Sequence, residues 1–267
     1  MKDEKRKTAI RGTREWSVAS VNCVLGCGHR CRYCYARADA LRRKQISDWQ
    51  EWGTTYHRLR PREVEKRRRK MPGTVMFPTT HDILPEFLEP CLRLIENVLV
   101  AGNRLLIVSK PHLPCIEAIC REFGHARDRI RFRFSIGARG DQVLRYWEPH
   151  APRFGERLAS LHLAQRCGFG TSVSCEPLLD DADVIGLVEA VAPYVDDSIW
   201  IGKLNGIPQR IEPGTDREAV ARIELGQTPA RIREIYAVLR DHPLVRWKDS
   251  YKQALGLVGP SVPGTDR

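Results

Sequence analysis

The run Gly26-Cys-Gly-His-Arg-Cys-Arg-Tyr-Cys-Tyr-Ala36 carries the strongest chemical signal in this sequence. It places Cys27, Cys31 and Cys34 in a C-x3-C-x2-C cluster, with an aromatic residue directly before the last cysteine. Three thiolates on one loop can bind three irons of a 4Fe-4S cluster and leave the fourth iron open to another ligand. The motif therefore predicts a metal centre at which chemistry can begin.

The same spacing has two other interpretations. Thiolates are soft ligands that suit zinc as well as iron-sulfur clusters. A structural zinc site needs four ligands, and Cys23 or His29 could supply the fourth. Cys31 and Cys34 also have the C-x-x-C spacing of a redox dithiol. The three cysteines by themselves leave the iron-sulfur, zinc and dithiol interpretations open, so the surrounding sequence has to decide.

The surrounding residues resemble the radical S-adenosylmethionine (SAM) superfamily, in which C-x3-C-x-aromatic-C follows the first strand of a partial barrel. The run from Asn22 to Ala36 is similar to the Asn-x3-Gly-Cys-x3-Cys-x-Tyr-Cys-Tyr-Ala segment of the spore photoproduct lyase-like branch. Glu148-Pro-His-Ala-Pro152 resembles that branch's Glu-Pro-x-Ala-Pro segment. Ser174-Cys-Glu-Pro-Leu-Leu179, with Ile199-Trp-Ile-Gly202, resembles a related phage-borne radical SAM family of unknown function. The resemblance runs from Trp16 to Asn205, which is most of the chain.

Short β-rich runs alternate with helical patterns along the chain, as in repeated βαβ units around a parallel sheet. The sequence predicts strands over 16–23, 74–78, 105–109, 130–136, 171–176 and 198–203, with 244–247 as a short extra strand. It predicts helices over 35–46, 86–100, 114–123, 153–166, 182–191 and 230–240. Six such units give an α/β fold, a partial (β/α)6 TIM-like barrel, which the resemblance to radical SAM enzymes also implies.

The length of 267 residues suits one barrel domain. We divide the chain into a basic amino-terminal extension over 1–15, a radical SAM partial barrel over 16–255 with a basic segment at 57–70, and a flexible tail over 256–267. Nine cysteines without a recognisable signal peptide predict a reducing, cytoplasmic location. No apolar run approaches the roughly 20 residues that a membrane span needs, so we expect no membrane association.

The resemblance implies a radical SAM enzyme, of lyase or transferase type, that uses a 4Fe-4S cluster and SAM. Cys27, Cys31 and Cys34 would be the cluster ligands, and SAM would chelate the open iron. Reductive cleavage of SAM would give a 5'-deoxyadenosyl radical that abstracts a hydrogen atom from the substrate. The resemblance also implies a low-potential electron donor, such as flavodoxin or ferredoxin, as a partner.

The resemblance implies five SAM-binding positions. The backbone around Tyr33 would approach the adenine, and Thr80 and Lys110 would hold the polar end of the methionine. Ser135 would bond the ribose, and Ser174 would lie against the adenine. Without the cysteine motif, the hydroxyl side chains among these positions would be interpreted as locally satisfied strand or turn residues.

Strand alternation predicts which side chains face the interior of the barrel. If Ser174 points inward, Glu176 does so too, and Cys175 points outward to the helices. Glu176 is therefore our first catalytic candidate. The same argument places Arg133 inside the barrel, where a buried charge needs a partner, for which Glu176 or Asp82 is expected.

One position departs from the pattern of the spore photoproduct lyases. That family returns a hydrogen atom to its product from a cysteine after the second strand, and the matching position here falls near Thr79. Since a threonine does not readily give up a hydrogen atom, we do not expect photoproduct repair by the usual route. Tyr35 matches a tyrosine of the family's hydrogen relay and is our second catalytic candidate. Cys23 is expected to be a spare thiol at the mouth of the barrel.

The charge of the chain indicates its substrate class. The formal net charge is +11, and the thirteen positions from Arg58 to Lys70 hold eight Lys or Arg residues. A second cluster contains Arg127, Arg129, Arg131 and Arg133. Basic surfaces attract phosphates, and the nearby Trp49, Trp52 and Tyr56 offer stacking surfaces for bases.

These observations make DNA, RNA or a nucleotide the expected substrate, in repair or modification. Two alternatives remain. One is the same radical chemistry on a peptide or small metabolite. The other is a non-enzymatic zinc or iron-sulfur module that binds nucleic acid. A solvated basic loop would explain the charge run without any ligand, and a fold does not by itself fix a function.

Overall fold

The sheet of this protein is parallel and open, in a computed structural model that describes residues 10–266. Nine strands lie in this part of the chain: β1 (Ala19–Ser20), β2 (Val24–Leu25), β3 (Arg58–Leu59), β4 (Thr74–Phe77), β5 (Arg104–Ser109), β6 (Ile130–Ser135), β7 (Gly170–Cys175), β8 (Ser198–Ile201) and β9 (Val245–Trp247). Seven of them form one sheet in the order β1-β4-β5-β6-β7-β8-β9, and every neighbouring pair in it is parallel. β2 and β3 form a separate antiparallel hairpin. The predicted α/β partial-barrel fold is confirmed, with β9 as its seventh strand.

Helices connect the strands and cover their outer faces. They are α1 (Tyr35–Arg42), α2 (Pro61–Glu65), α3 (Leu88–Val100), α4 (Leu113–Phe123), α5 (Asp141–Trp147), α6 (Phe154–Arg166), α7 (Val184–Val191), α8 (Ile207–Arg210), α9 (Arg217–Gly226), α10 (Pro229–Leu239) and α11 (Asp249–Leu255). Apolar side chains from the outer faces of β4 to β9 pack with α3, α4, α6, α7 and α10 in the main core. This arrangement is typical of parallel sheets, which are buried on both faces.

The apolar pattern of α3 shows why this segment is a helix. Its buried side chains are Cys91, Leu94, Ile95, Val98 and Leu99, spaced by three or four residues along one face. A stripe with this spacing faces a core when the backbone is helical. The helix therefore packs this stripe against the sheet and leaves its polar face to the solvent.

The interior of the barrel is partly polar. The guanidinium carbon of Arg133 lies 4.3 Å from the ring centroid of Trp16 and 5.2 Å from that of Trp200. Its Nε donates a hydrogen bond to Ser172 Oγ at 2.9 Å. The two indole rings and the hydroxyl thus replace the water that a buried guanidinium loses.

Arg133 lies on the inner face as predicted, but its expected carboxylate partner was wrong. Its Nη2 lies 3.5 Å from Asp197 Oδ2, not beside Glu176 or Asp82. Asp197 directly precedes β8, whereas the two expected partners follow β7 and β4 at the opposite end of the sheet. The side chain of Arg133 therefore points toward the amino ends of the strands.

β1 is much shorter than the predicted strand over 16–23. Val21 N–H still donates to Met76 O at 2.9 Å, as in a strand. Two residues later, Cys23 N–H donates to a side chain and not to a neighbouring strand, with His81 Nε2 as the acceptor at 3.1 Å. The backbone thus leaves the sheet before the cysteine loop begins.

Residues near the two ends of the described part of the chain contact each other. The predicted extension over 1–15 falls largely in residues 1–9, which lie outside the described residues. The predicted tail contains no helix or strand up to residue 266, yet Gly264 N–H donates to Arg14 O at 2.8 Å. Within the described part of the chain, no helix combines the length and the apolar character needed to cross a membrane.

Candidate functional site

The carboxyl ends of the parallel strands open onto a cavity of about 640 Å³. Functional residues of parallel barrels gather at this end, because the loops after the strands meet there. All ten residues that the sequence analysis singled out line this cavity: Cys27, Cys31, Tyr33, Cys34, Tyr35, Thr80, Lys110, Ser135, Ser174 and Glu176. The structure thus brings them together, and the role of each remains a prediction.

The cysteine loop connects β2 to α1 and depends on Gly26. This residue has φ +73°, and a Cβ atom on it would overlap the carbonyl oxygen of Trp52. Cys34 N–H donates to Cys31 O at 3.2 Å, which closes a tight turn within the motif. Arg37, buried on the first turn of α1, donates from Nη2 to the same carbonyl at 3.0 Å. These hydrogen bonds hold the loop through its backbone carbonyl and N–H groups and do not involve the thiols.

The three motif thiols fit a soft metal cluster. Cys27 and Cys31 are buried, Cys34 is partly exposed, and all three line the cavity as free cysteines. Burial raises the pKa of Cys31 to about 12, and burial followed by the charge of Asp82 raises the pKa of Cys27 well above its ordinary range. Iron bound at these thiols would displace their protons. Among residues 10–266, no group of three or more His, Cys, Asp and Glu side chains converges on one point as a ready-made site for a single ion.

Asn22 holds the loop after β4 against the cysteine loop. Its Oδ1 accepts hydrogen bonds from the N–H groups of Thr79 and Thr80 at 2.7 and 2.9 Å. Its Nδ2 donates to Thr79 Oγ1 at 2.8 Å. This positions the side chain of Thr80 at the cavity. Asn22 begins the motif that resembles the lyase-like branch, but the sequence alone gave no role for it.

Glu148 is a buried junction that the sequence analysis quoted without assigning it a role. It accepts hydrogen bonds from Tyr33 Oη and from Arg157 Nη2, and its Oε1 lies 3.8 Å from Lys110 Nζ. Burial acts to raise the pKa of Glu148, but Arg157 and then Lys110 lower it below its ordinary value. Burial acts to lower the pKa of Lys110, but the negative charges of Cys31 and then of Glu148 and Asp82 raise it above its usual range. The cysteine loop, β5 and α6 are tied together here by charge.

Asp82 forms a second junction, between the cysteine loop and β5. It accepts hydrogen bonds from Ser109 Oγ and from Lys110 N–H, the latter at 2.9 Å. His29 Nδ1 lies 3.2 Å from Asp82 Oδ2, and His29 Nε2 lies 2.8 Å from His112 Nε2. Both ring nitrogens of His29 thus face polar partners, as expected for a buried histidine. Although burial opposes it, the charge of His29 keeps the pKa of Asp82 below its ordinary value.

Glu176 lies at the cavity wall beside a buried ion pair. Its Oε2 lies 3.4 Å from Lys248 Nζ, and its Oε1 accepts from Asn205 Nδ2 at 3.4 Å. The same Lys248 ammonium lies 2.7 Å from Glu15 Oε1. Burial raises the pKa of Glu15 to about 7, against the opposing charge of Lys248. Lys248 therefore lies close to two carboxylates, and both Glu15 and Glu176 line the cavity. As strand alternation predicted, Glu176 faces the cavity and Cys175 packs in the main core.

Two sequence-based expectations near the cavity were wrong. Cys23 is fully buried in the main core, with its Sγ 3.8 Å from Cys91 Sγ, so it is not a thiol at the mouth of the barrel. Trp52 and Tyr56 are buried and stacked on each other, with ring centroids 5.8 Å apart, so their faces are closed to bases. Tyr35, in contrast, is 41% exposed, and its hydroxyl donates to the carbonyl of the residue that precedes Thr80.

No protein-family model matches the sequence. The Uncharacterized protein ORF301 of Acidianus two-tailed virus is 26% identical over 173 residues, which are 60% of this chain and 55% of that protein. The chain thus spans about half the length of this relative.

Solved structures extend the comparison to nearly the whole chain. Spore photoproduct lyase complexed with dinucleoside spore photoproduct matches with a TM-score of 0.56 and 16% identity, over 91% of this chain and 79% of that one. Streptococcus suis SuiB bound to precursor peptide SuiA matches with a TM-score of 0.50 and 10% identity, over 91% of this chain and 51% of that one. At these sequence identities the likeness concerns the fold alone. The fold expected from the sequence motifs is confirmed: this chain has the partial-barrel fold of the radical SAM enzymes.

Proposed function

We propose that this chain is a radical SAM enzyme in which Cys27, Cys31 and Cys34 hold a 4Fe-4S cluster. The observation that carries the proposal is the common cavity of about 640 Å³, onto which the three thiols and the strand-end side chains open together. A donor set of three sulfurs in one loop suits such a cluster and leaves one iron free for SAM. When bound, the cluster and SAM would supply reductive cleavage of a carbon-sulfur bond and a radical for hydrogen abstraction.

The residues of the chain would bind and orient SAM rather than take part in bond breaking. Lys110 presents a half-buried ammonium to the cavity, which suits the carboxylate of the methionine. The hydroxyls of Thr80, Ser135 and Ser174 are neutral hydrogen-bonding groups on the same wall, which suits ribose and adenine. Glu176 adds an acceptor whose charge is balanced by Lys248.

We further propose that the substrate is a nucleic acid or nucleotide. The net charge of +11 supports this class, because basic surfaces gain affinity for phosphates by releasing counterions. The structural likeness to a lyase solved with a dinucleoside photoproduct gives additional support. Since Thr79 stands near the position of the lyase cysteine, the final hydrogen transfer would differ from photoproduct repair. Analysis of the product would distinguish a lyase reaction from a transferase reaction.

A peptide substrate is the second candidate, because SuiB was solved with its precursor peptide. Either reaction needs an electron, for which a flavodoxin or ferredoxin is the expected partner. Free thiols at the cluster loop suit a reducing compartment such as the cytoplasm.

The substrate class can be tested with the reconstituted protein. It is incubated anaerobically with SAM, reductant and either single-stranded DNA, RNA or a peptide, and each polymer is analysed by mass spectrometry. We expect a covalent change in DNA or RNA, which the Cys31→Ala variant does not produce. A change in the peptide alone would favour the second candidate and contradict the nucleic-acid assignment.

A further inference from the structure

A second cavity, of about 770 Å³, lies at the opposite end of the barrel from the cysteine loop. The first residues of β5, β6, β7 and β8 line it, whereas the last residues of β5, β6 and the neighbouring loops line the cysteine cavity. Six arginines and three aspartates contribute to its wall. This end of the barrel is therefore strongly basic, and the proposed reaction makes no use of it.

Two of the three aspartates of this cavity are paired, whereas Asp128 is exposed and its carboxylate has no ion pair within residues 10–266. Asp197 lies 3.0 Å from Arg131 and 3.5 Å from Arg133, and Asp266 is paired with Lys252. Arg104 and Arg127 are exposed on the rim. Within residues 10–266, neither of them has a carboxylate within ion-pair distance.

The basic segment after α2 reaches the same end of the barrel. Asn103 donates from Nδ2 to Arg69 O at 3.1 Å, and its Oδ1 accepts from Met71 N–H at 2.8 Å. Arg104 follows Asn103 directly at the start of β5. The two basic clusters that are separate in the sequence thus become one surface.

Another contact joins the basic cluster of residues 127–133 to the same end of the barrel. Arg129 donates from Nη1 to Leu99 O at 2.9 Å, at the carboxyl end of α3. The exposed side chains of Arg69, Lys70, Arg104 and Arg127 therefore lie near the amino ends of β5 and β6, and we name these four residues the amino-end surface. These charges come from three separate segments of the chain, and only Arg104 and Arg127 line the second cavity, which suits a chain of phosphates better than a single phosphate.

We propose that the amino-end surface binds the phosphate backbone of a nucleic acid, away from the cavity of the cysteines. The choice of nucleic acid as the ligand rests on the proposed function. The position of the binding surface rests on the exposed basic side chains alone. Guanidinium groups without a carboxylate partner form charge-assisted hydrogen bonds to phosphate oxygens. Such contacts position a nucleic acid without reading its bases. A strand held here would be anchored while another part of it reaches the strand-end cavity.

The test measures binding by the full-length protein without iron or SAM. Fluorescence anisotropy with a labelled single-stranded oligothymidylate, at several salt concentrations, compares the wild type with Arg104→Ala/Arg127→Ala. The control, Arg222→Ala/Arg233→Ala, removes two exposed arginines from α9 and α10, so its net charge is identical. We expect the first variant to bind about tenfold more weakly, with a salt slope shallower by about 1.4, and the control to bind like the wild type.

Three results would overturn the proposal: absence of binding by the wild type, an unchanged affinity of the first variant, or equal losses in both variants. Inorganic tripolyphosphate serves as a competitor, and complete displacement of the oligonucleotide by an equal concentration would assign the surface to a short polyphosphate instead. The charge-reversing variant Arg104→Glu/Arg127→Glu should bind more weakly still, and circular dichroism checks that it is folded. Failure of the proposed enzyme activity would be recorded separately, as absence of 5'-deoxyadenosine, and would leave these binding results valid.

Discussion

The ammonium nitrogen of Lys110 lies 3.8 Å from Oε1 of Glu148, although one residue follows β5 and the other follows α5. Glu148 also accepts hydrogen bonds from Tyr33 in the cysteine loop and from Arg157 on α6. One buried carboxylate thus sets the relative position of the cysteine loop and of the lysine proposed to bind SAM. Its removal should affect both the stability of the fold and the geometry of the site.

Glu148→Ala should strongly destabilise the protein. It leaves Arg157, which is fully buried, without its charge partner, and loss of one member of a buried pair costs about 3–5 kcal/mol. Urea unfolding of the apoprotein measures the free energy of unfolding. Glu65→Ala is the control, because its pair with Arg93 is exposed and should contribute little. An equal loss of unfolding free energy in the two variants would show that the contacts of Glu148 do not stabilise the fold.

Gly26→Ala should destabilise the cysteine loop through a steric clash in addition to the backbone strain of its positive φ angle. The new Cβ would meet the carbonyl of Trp52, whereas the control Gly214→Ala has a similar φ of +81° and open space around it. We expect the control to lose about 1–2 kcal/mol of unfolding free energy from backbone strain. Gly26→Ala should lose more and should also retain less iron after reconstitution. Similar iron content and stability in both variants would contradict the predicted steric conflict.

The stability of the protein should depend on pH through Glu15. Because burial raises its pKa from 4.5 to about 7, the folded state holds a proton that the unfolded state releases. This contribution is fully present below about pH 4.5 and is lost as the pH rises through about 7, at a cost of up to about 3 kcal/mol. Glu15→Gln should therefore flatten the dependence of Tm on pH between 4.5 and 7, and Glu65→Gln should not. An unchanged slope in Glu15→Gln would show that Glu15 does not titrate in this range.

Substitutions at Cys31 and Cys23 should separate the cluster ligands from the core thiols. Cys31→Ala removes a thiol that lines the cavity and should abolish iron retention. Cys23→Ala changes a buried thiol packed against Cys91 and should leave iron content intact. Iron analysis and the visible absorption spectrum of the reconstituted variants measure this. Loss of the cluster in Cys23→Ala would mean that our ligand set is wrong.

The regular part of the fold could be predicted because its signal is local. The strand over 130–136 and the helix over 153–166 differ from the observed β6 and α6 by one residue at one end. The helices α2, α5, α8, α9 and α11 were missed. The hairpin of β2 and β3 was also missed, because its two strands contain only two residues each and pair across more than thirty positions.

The site was predicted in part, for a related reason. The cysteine spacing and the strand ends indicated which residues face the cavity. The partners of these residues come from distant positions: Glu148 meets Tyr33, and Asn22 meets Thr79. Hydrophobic periodicity in the sequence indicates local structure and does not predict contacts between residues so far apart. The burial of Trp52 was missed because an aromatic residue beside a basic run has no local pattern that separates stacking on a base from packing in a core.

Cleavage of SAM is the central claim, and one measurement tests it most directly. The protein is reconstituted anaerobically with iron and sulfide, reduced with dithionite in the presence of SAM, and analysed for 5'-deoxyadenosine by chromatography. The account predicts 5'-deoxyadenosine from the wild type and none from Cys31→Ala. Absence of 5'-deoxyadenosine from the wild type, together with tightly bound zinc in the purified protein, would contradict it and would make the cysteine loop a structural metal site.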